Sequence, residues 1–143
     1  MDGKRTIVDA AHFSNLLETV CAILARQSQK VFINARTDTF LLGIPNAVQE
    51  TIRRAILYQK AGANGLFVPC IEKEEDIKTV LKGIHLPLNV MAMPNLPAFG
   101  ILEALGVKRI SMGGFVCTSA HAWDSFSTYC LDCFERDTLW HDL

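Results

Sequence analysis

VFINARTDTFLLG, residues 31–43, starts as an apolar strand and runs directly into Arg36, Thr37 and Asp38. A run of this kind, bounded by a polar break at residues 28–30 and by a glycine, predicts a strand over residues 31–35 that delivers charged groups at its C-terminal end. Within strand alternation Arg36 shares a face with Asn34 and Phe32. The guanidinium of Arg36 offers a planar fork of donors suited to a carboxylate or a phosphate. Asp38 has three available roles: orienting Arg36, holding a metal through water, or capping the following turn. An Arg–Asp pair that merely fastens a strand end is the bland alternative.

Outward from this segment the chain alternates. Asp9 is placed to cap a helix with Phe13, Leu16, Leu17, Val20, Cys21 and Leu24 on one face. After the first strand, Pro45 and Asn46 open a helix with Val48, Ile52, Ala55 and Ile56 as its stripe, closed by Gly62 as a left-handed cap. A short strand follows at residues 66–68, stopped by Pro69. The charged helix over residues 72–83 buries Ile77, Val80 and Leu81 and takes Gly83 as its cap. A third strand is expected at residues 86–94, a helix over residues 97–105 capped by Gly106, and a fourth strand at residues 107–112. The last helix is expected from Thr118 into the mid-130s. A helix between every two strands makes neighbouring strands parallel, and near-continuous apolar strands are those covered on both faces. The fold class is α/β.

In such folds the site forms at the C-terminal ends of the strands. The residues that fall there or within the strands are Arg36, Asp38, Asn89, Gly113 and Gly114. Asn89, an amide in an apolar strand, needs partners in the core or on a ligand. Gly113 and Gly114 before a helix permit close backbone approach to an anion, although a tight turn alone also calls for glycine.

The chain has 143 residues, net charge −1 and half its residues hydrophobic. This fits one domain, 1–143, and lacks the basic footprint of a nucleic-acid binder. No apolar run reaches the roughly 18 residues of a membrane span, and the start carries no apolar signal core. No nucleic acid and no membrane partner are expected, and the expected compartment is the cytoplasm. A mean hydropathy of +0.21 hints that a partner covers some apolar surface. Five cysteines, an odd and scattered set, read as reduced thiols. Cys117, His121, Cys130, Cys133 and His141 invite a zinc reading, but Cys130 and Cys133 have no second pair at zinc-site spacing and read as core residues; His12 and His85 read as incidental.

VFINARTDTFLLG, ETIRRAILYQKAGANGLFVP, LPLNVMA with its proline loop, and LEALGVKRISMGG stand in one order and spacing over residues 31–114. With GKRTIVDAAHF ahead of them, they resemble the isocitrate lyase and phosphoenolpyruvate mutase superfamily, in its phosphonomutase-like branch. The resemblance implies a (β/α)8 TIM barrel of which this chain supplies the second half, strands five to eight, as a partial barrel lacking the N-terminal half. It implies magnesium-dependent making or breaking of C–C or P–C bonds in 2-oxo-acid substrates, with Arg36 on the substrate's acid group. It also implies a homo-oligomer with an exchanged C-terminal helix, and a small carboxylate or phosphonate as ligand. The magnesium-binding acids of the family belong upstream of Met1. Pro69 and Cys70 stand where lyase members carry a glutamate, and Met91, Ala92 and Met93 stand where they carry polar residues. The expectation is a fragment or truncated relative with little activity alone. The alternatives are an enzyme made by pairing two halves, with Asp38 and Glu72 as acids, or a non-enzymatic oligomerising remnant or small-anion-binding module.

Overall fold

β2, Gly65–Val68, begins the core: Leu66 and Val68 are fully buried, and each faces a buried neighbour across the next strand. The computed structural model describes residues 6–112. One compact unit ending at Ser111 holds every described helix and strand. Their order is α1 (Ala10–Arg26), β1 (Asn34–Arg36), α2 (Ala47–Lys60), β2, α3 (Glu74–Gly83), β3 (Leu88–Met91), α4 (Phe99–Leu105) and β4 (Arg109–Ser111). Gly113, Gly114, the C-terminal cysteines and histidines, and the expected final helix lie outside the described residues.

The four strands form one parallel sheet in the order β1-β2-β3-β4. Strand order equals chain order, so the sheet never reverses, and crossovers of one hand then place every helix on the same side. The helices pack in the same succession, α1 on α2, α2 on α3, α3 on α4. This is a sector of a barrel wall, with the described helices on its outer side, and it bears out the expected α/β partial barrel.

Pleating sorts the side chains. The helix-side row holds Ala35, Leu66 and Leu88, then Val68 and Val90, against Leu17, Ala55, Tyr58, Ile77, Val80 and Leu102. Each fully buried aliphatic side chain here contributes about 1.5–3 kcal/mol. The opposite row, in register, holds Arg36, Phe67, Asn89 and Arg109.

Helix ends follow local chemistry. The carboxylate of Asp9 accepts the backbone N–H of His12 at 2.9 Å, which caps α1 and holds the Asp9 pKa below its ordinary value. Glu74, Glu75 and Asp76 occupy the first turn of α3, where the helix dipole favours them. Gly62 (φ +100°) and Gly106 (φ +96°) adopt the left-handed conformation their positions require.

Several expectations need correction. The first strand is shorter and later than residues 31–35: pairing to β2 begins where the Ile33 carbonyl accepts the N–H groups of Asn64 and Gly65, and Val31 and Phe32 are half exposed. β1 pairs with one strand among the described residues, so no described strand lies along its other side. The third strand also shrinks, because a parallel ladder needs a partner and β4 offers three residues. On α1, Leu16 and Val20 are exposed while Ser14 and Leu17 are buried. On α2 the buried stripe is Thr51, Arg54, Ala55 and Tyr58; Ile56 is exposed. Gly83 is no left-handed cap. It lets α3 approach α2, since a Cβ there would lie 2.8 Å from Ile52 Cδ1.

The buried polar groups on α2 are tied. Thr51 bonds Thr39 and the carbonyl of Ala47. Arg54, 4% exposed, donates to Glu50 at 2.7 Å, to the carbonyl of Val8 at 2.8 Å and to the Tyr58 hydroxyl at 3.1 Å. Glu50 also accepts two bonds from Arg53. The Arg53 bonds, then those of Arg54, hold the Glu50 carboxyl below its ordinary value.

Two outcomes test this packing. Gly62→Ala forces a Cβ to 2.7 Å from Cys21 Sγ at positive φ and lowers unfolding free energy by about 1–3 kcal/mol in a urea titration. Glu50→Gln leaves a buried guanidinium short of its counter-ion and costs about 2 kcal/mol near neutrality. Because the folded pKa is depressed, the Glu50 contribution is complete above its ordinary value of 4.5 and is lost as pH falls through the folded value. The gap between parent and variant stability therefore narrows on acidification below that point.

Candidate functional site at the C-terminal end of the first strand

The β1 end carries three consecutive polar side chains on alternating sides. Arg36 is the last strand residue and lies on the inner face. Thr37 follows with its N–H bonded to the carbonyl of Phe67 at 3.0 Å, so the pairing extends one residue past the strand. The side chain of Thr37 is buried, and its Oγ1 has no hydrogen-bond partner among the described residues. An orphan hydroxyl of this kind costs about 1–3 kcal/mol.

Arg36 Nε donates to Asp38 Oδ1 at 2.6 Å, and the guanidinium lies over the Phe67 ring at 5.6 Å from its centroid. Of the three roles open to Asp38, the geometry realises orientation of Arg36. The ring beneath and the carboxylate beside fix the plane of the guanidinium. Nη1 and Nη2 make no hydrogen bond among the described residues. The Arg36 side chain is half exposed and Asp38 one-third exposed, so in isolation the pair adds little to stability.

A cavity of about 260 Å³ adjoins this pair, lined by Thr6, Ile7, Val8, Phe13, Arg36, Thr37, Asp38, Arg54 and Tyr58. Its floor is the edge-to-face pair of Phe13 and Tyr58, 5.0 Å between centroids. Arg54 holds residue 8 over it through the Val8 carbonyl. The cavity is therefore built from the start of the described chain, the β1 end and α2.

Cys70 stands at the end of β2 with φ +63°, a left-handed conformation for a non-glycine residue immediately after Pro69. Burial raises its thiol pKa, Glu72 and Asp38 raise it further, and Arg36 opposes them. Cys70 and Glu72 follow β2, and Arg36 and Asp38 end and follow β1, so the parallel sheet places all four at its C-terminal end. The thiol is protonated at neutral pH and is a poor nucleophile. Cys21 and Cys70 are both free thiols, in keeping with the reduced reading.

Asn89 is 3% exposed in β3, and its amide pairs with the Ser111 hydroxyl at 2.9 and 3.1 Å. Its need for partners is met within the sheet, on the same inner face as Arg36. Arg36 and Asn89 thus share one sheet, with Asp38 two residues beyond the end of β1; Gly113 and Gly114 fall outside the described residues. The sequence reading missed Arg54, Phe67 and Arg109, and named Thr37 in the cluster without giving it a role of its own. A helical count from Thr51 through Arg54 to Tyr58 carries the first, and strand alternation carried across all four strands places Phe67 and Arg109 in the Arg36 row. Nothing in the sequence marks Thr37 as an orphan.

Magnesium, implied by the resemblance, finds no ready cage here. No three His, Cys, Asp or Glu side chains cluster in metal-binding geometry among the described residues, and Asp38 is engaged by Arg36. No helix among them is long and apolar enough to cross a membrane.

Comparison with known proteins agrees with the fold and the motifs. An uncharacterized Mycobacterium tuberculosis protein, Rv1998c of strain H37Rv, is 36% identical over 90 residues, covering 63% of this chain and 34% of that protein. A crystal structure assigned as a phosphonomutase from Burkholderia cenocepacia J2315 superposes with TM-score 0.74 at 27% identity, over 92% of this chain and 54% of that one. A second protein of that organism, assigned as a lyase/mutase, gives TM-score 0.72 at 26% identity, over 92% and 47%. The chain spans about a third of the curated relative and about half of each solved structure. The phosphoenolpyruvate phosphomutase family model matches residues 1–127, and the chain belongs to that family.

Proposed function

We propose that the β1 end is an acid-group clamp for a small 2-oxo-acid-like carboxylate or phosphonate, the recognition half of a lyase or phosphonomutase site that acts on C–C or P–C bonds. The observation that carries this reading is the state of Arg36. Its Nε is committed to Asp38 and its face to Phe67, while Nη1 and Nη2 make no hydrogen bond among the described residues. A guanidinium held in this way has its orientation settled before a ligand arrives, so less freedom is lost on binding. Its position at the C-terminal end of a parallel strand is where this architecture gathers its chemistry. The membership of the family supports lyase or mutase chemistry over a purely structural role.

What this chain's own residues do in that reading is bind and orient. Arg36 receives the acid group, Asp38 and Phe67 keep its fork in plane, and Arg54 holds residues 6–8 as the opposite wall. Magnesium would polarise the oxo-acid in a complete family site. The described residues do not offer its ligand set, and no step is assigned to it. Binding of a small anion without turnover is the second reading, favoured by the commitment of the Asp38 carboxylate to Arg36.

Thermal unfolding with oxalate, a planar mimic of a 2-oxo-acid enolate, tests the clamp. A ligand that binds only the folded state raises the midpoint as its concentration exceeds Kd. The expected result is a rise in the parent, little in Arg36→Ala, and an intermediate rise in Arg36→Lys, which keeps the charge and loses the fork. Loss of the paired bonds corresponds to about ten- to a hundredfold in affinity. Equal rises in all three proteins, or none in the parent, would remove Arg36 from the site. A rise that needs magnesium points to the lyase or mutase reading; a rise indifferent to it points to anion binding alone.

A further inference from the structure

We propose that Thr37 is a specificity-determining residue of the β1-end site, its buried hydroxyl binding an oxo or hydroxyl oxygen on the carbon chain of an acid whose head sits at Arg36. The role of Thr37 depends on Arg36 acting as an acid clamp, the reading proposed above, and adds what the rest of the ligand must carry.

The backbone sends the two side chains to opposite sides. Arg36 belongs to the inner row. The Thr37 N–H still bonds the Phe67 carbonyl, so alternation turns the Thr37 side chain toward the helices, as it does that of Ala35. Both side chains nevertheless line one cavity, together with Phe13 of α1 and Tyr58 of α2. The cavity therefore bends round the end of β1, from the inner face into the helix layer. An acid head at the half-exposed Arg36 occupies its outer part. A carbon chain attached to that head fills the part walled by Ile7, Val8, Phe13 and Tyr58. The volume of about 260 Å³ lies just below the roughly 300–1,000 Å³ of drug-sized pockets, which suits a short acid.

Two hydroxyl protons along this cavity are unspent. Thr37 is 2% exposed, and its Oγ1 has no partner among the described residues. Tyr58 Oη accepts from Arg54 Nη1 at 3.1 Å and donates no hydrogen bond among the described residues. Arg54 cannot answer either of them, because a guanidinium has donors only. A buried hydroxyl left in this state destabilises the fold, whereas a valine would fill the same volume without that cost. The group that satisfies it is an acceptor oxygen brought in by a ligand. In a pocket that excludes water such a hydrogen bond is stronger than one at the surface. A plain alkyl acid brings no acceptor, leaves the donors unmet and is rejected in proportion. Entry requires the wall of residues 6–8 to give way, and among the described residues a single hydrogen bond, Arg54 to the Val8 carbonyl, ties that wall to α2.

Isothermal titration calorimetry of the whole 143-residue chain with butyrate, 2-oxobutyrate and 3-hydroxybutyrate, acids of one length, reads the preference. Thermal unfolding of the unliganded protein reads the state of the hydroxyl. The expected result is that at least one of the oxygen-bearing acids binds the parent about tenfold more tightly than butyrate. Thr37→Val loses this preference, binds butyrate as the parent does, and unfolds at a higher temperature. Thr37→Ser, which keeps the hydroxyl, keeps the preference. Butyrate binding the parent as tightly as the other two, with all binding lost in Arg36→Ala, leaves the clamp standing and overturns the role of Thr37. A Thr37→Val protein that retains the preference overturns it as well. So does one that unfolds at a lower temperature or fails to fold, since the hydroxyl is then satisfied by water or by the protein itself. Absence of binding by all three acids in the parent overturns the clamp and the role of Thr37 together.

Discussion

The parallel register between β1, β2, β3 and β4 is the constraint on which everything else depends. It pairs Ala35 with Leu66 and Leu66 with Leu88, so one face is wholly apolar and binds the helices. By the same pleat it sets Arg36, Phe67, Asn89 and Arg109 in one row on the other face. A slip of one residue in any pair would exchange the rows. It would bury a guanidinium among aliphatic side chains, at a cost no neighbouring carboxylate could offset. Core and site are two readings of one alternation.

The proposed clamp would give an exposed ion pair a use. As a stabilising contact, Arg36 with Asp38 is weak, because water screens both groups. As a positioning device it is effective, because the Phe67 ring and the Asp38 carboxylate each remove one freedom of the guanidinium. Arg54 is the opposite case. It is buried, tied to its counter-ion Glu50 and to two neutral acceptors, and it shapes the cavity by fastening residue 8 to α2. The two arginines line the same cavity, one half exposed and one buried against the protein itself.

The helix–strand alternation, the parallel sense and the end-of-strand location of Arg36 and Asp38 were legible in the sequence, because each depends on local pattern. Strand limits were not. Val31 and Phe32 read as buried from their hydrophobicity, yet they are half exposed because burial depends on what lies across the open edge. Leu16 and Val20 mislead in the same way, being apolar on a helix face that nothing among the described residues covers. Arg54 misleads in the other direction, since a charged side chain hides the inward face of α2 from a count of apolar residues. Gly83 read as a cap because it follows a periodic run, whereas its reason is the approach of Ile52, a contact distant in sequence.

The sequential order of the strands bears on how the chain folds. Each pairing joins segments separated by one helix and its two turns, and no strand waits for a distant part of the chain. Average sequence separation between contacts is therefore low for a parallel sheet, and the loop-closure entropy spent before each new pairing is small. Folding can proceed by accretion, each helix–strand unit docking onto the one before it. An architecture of this type also has natural joints: between units the chain runs along the surface, and units can be added, lost or recombined without disturbing those already paired.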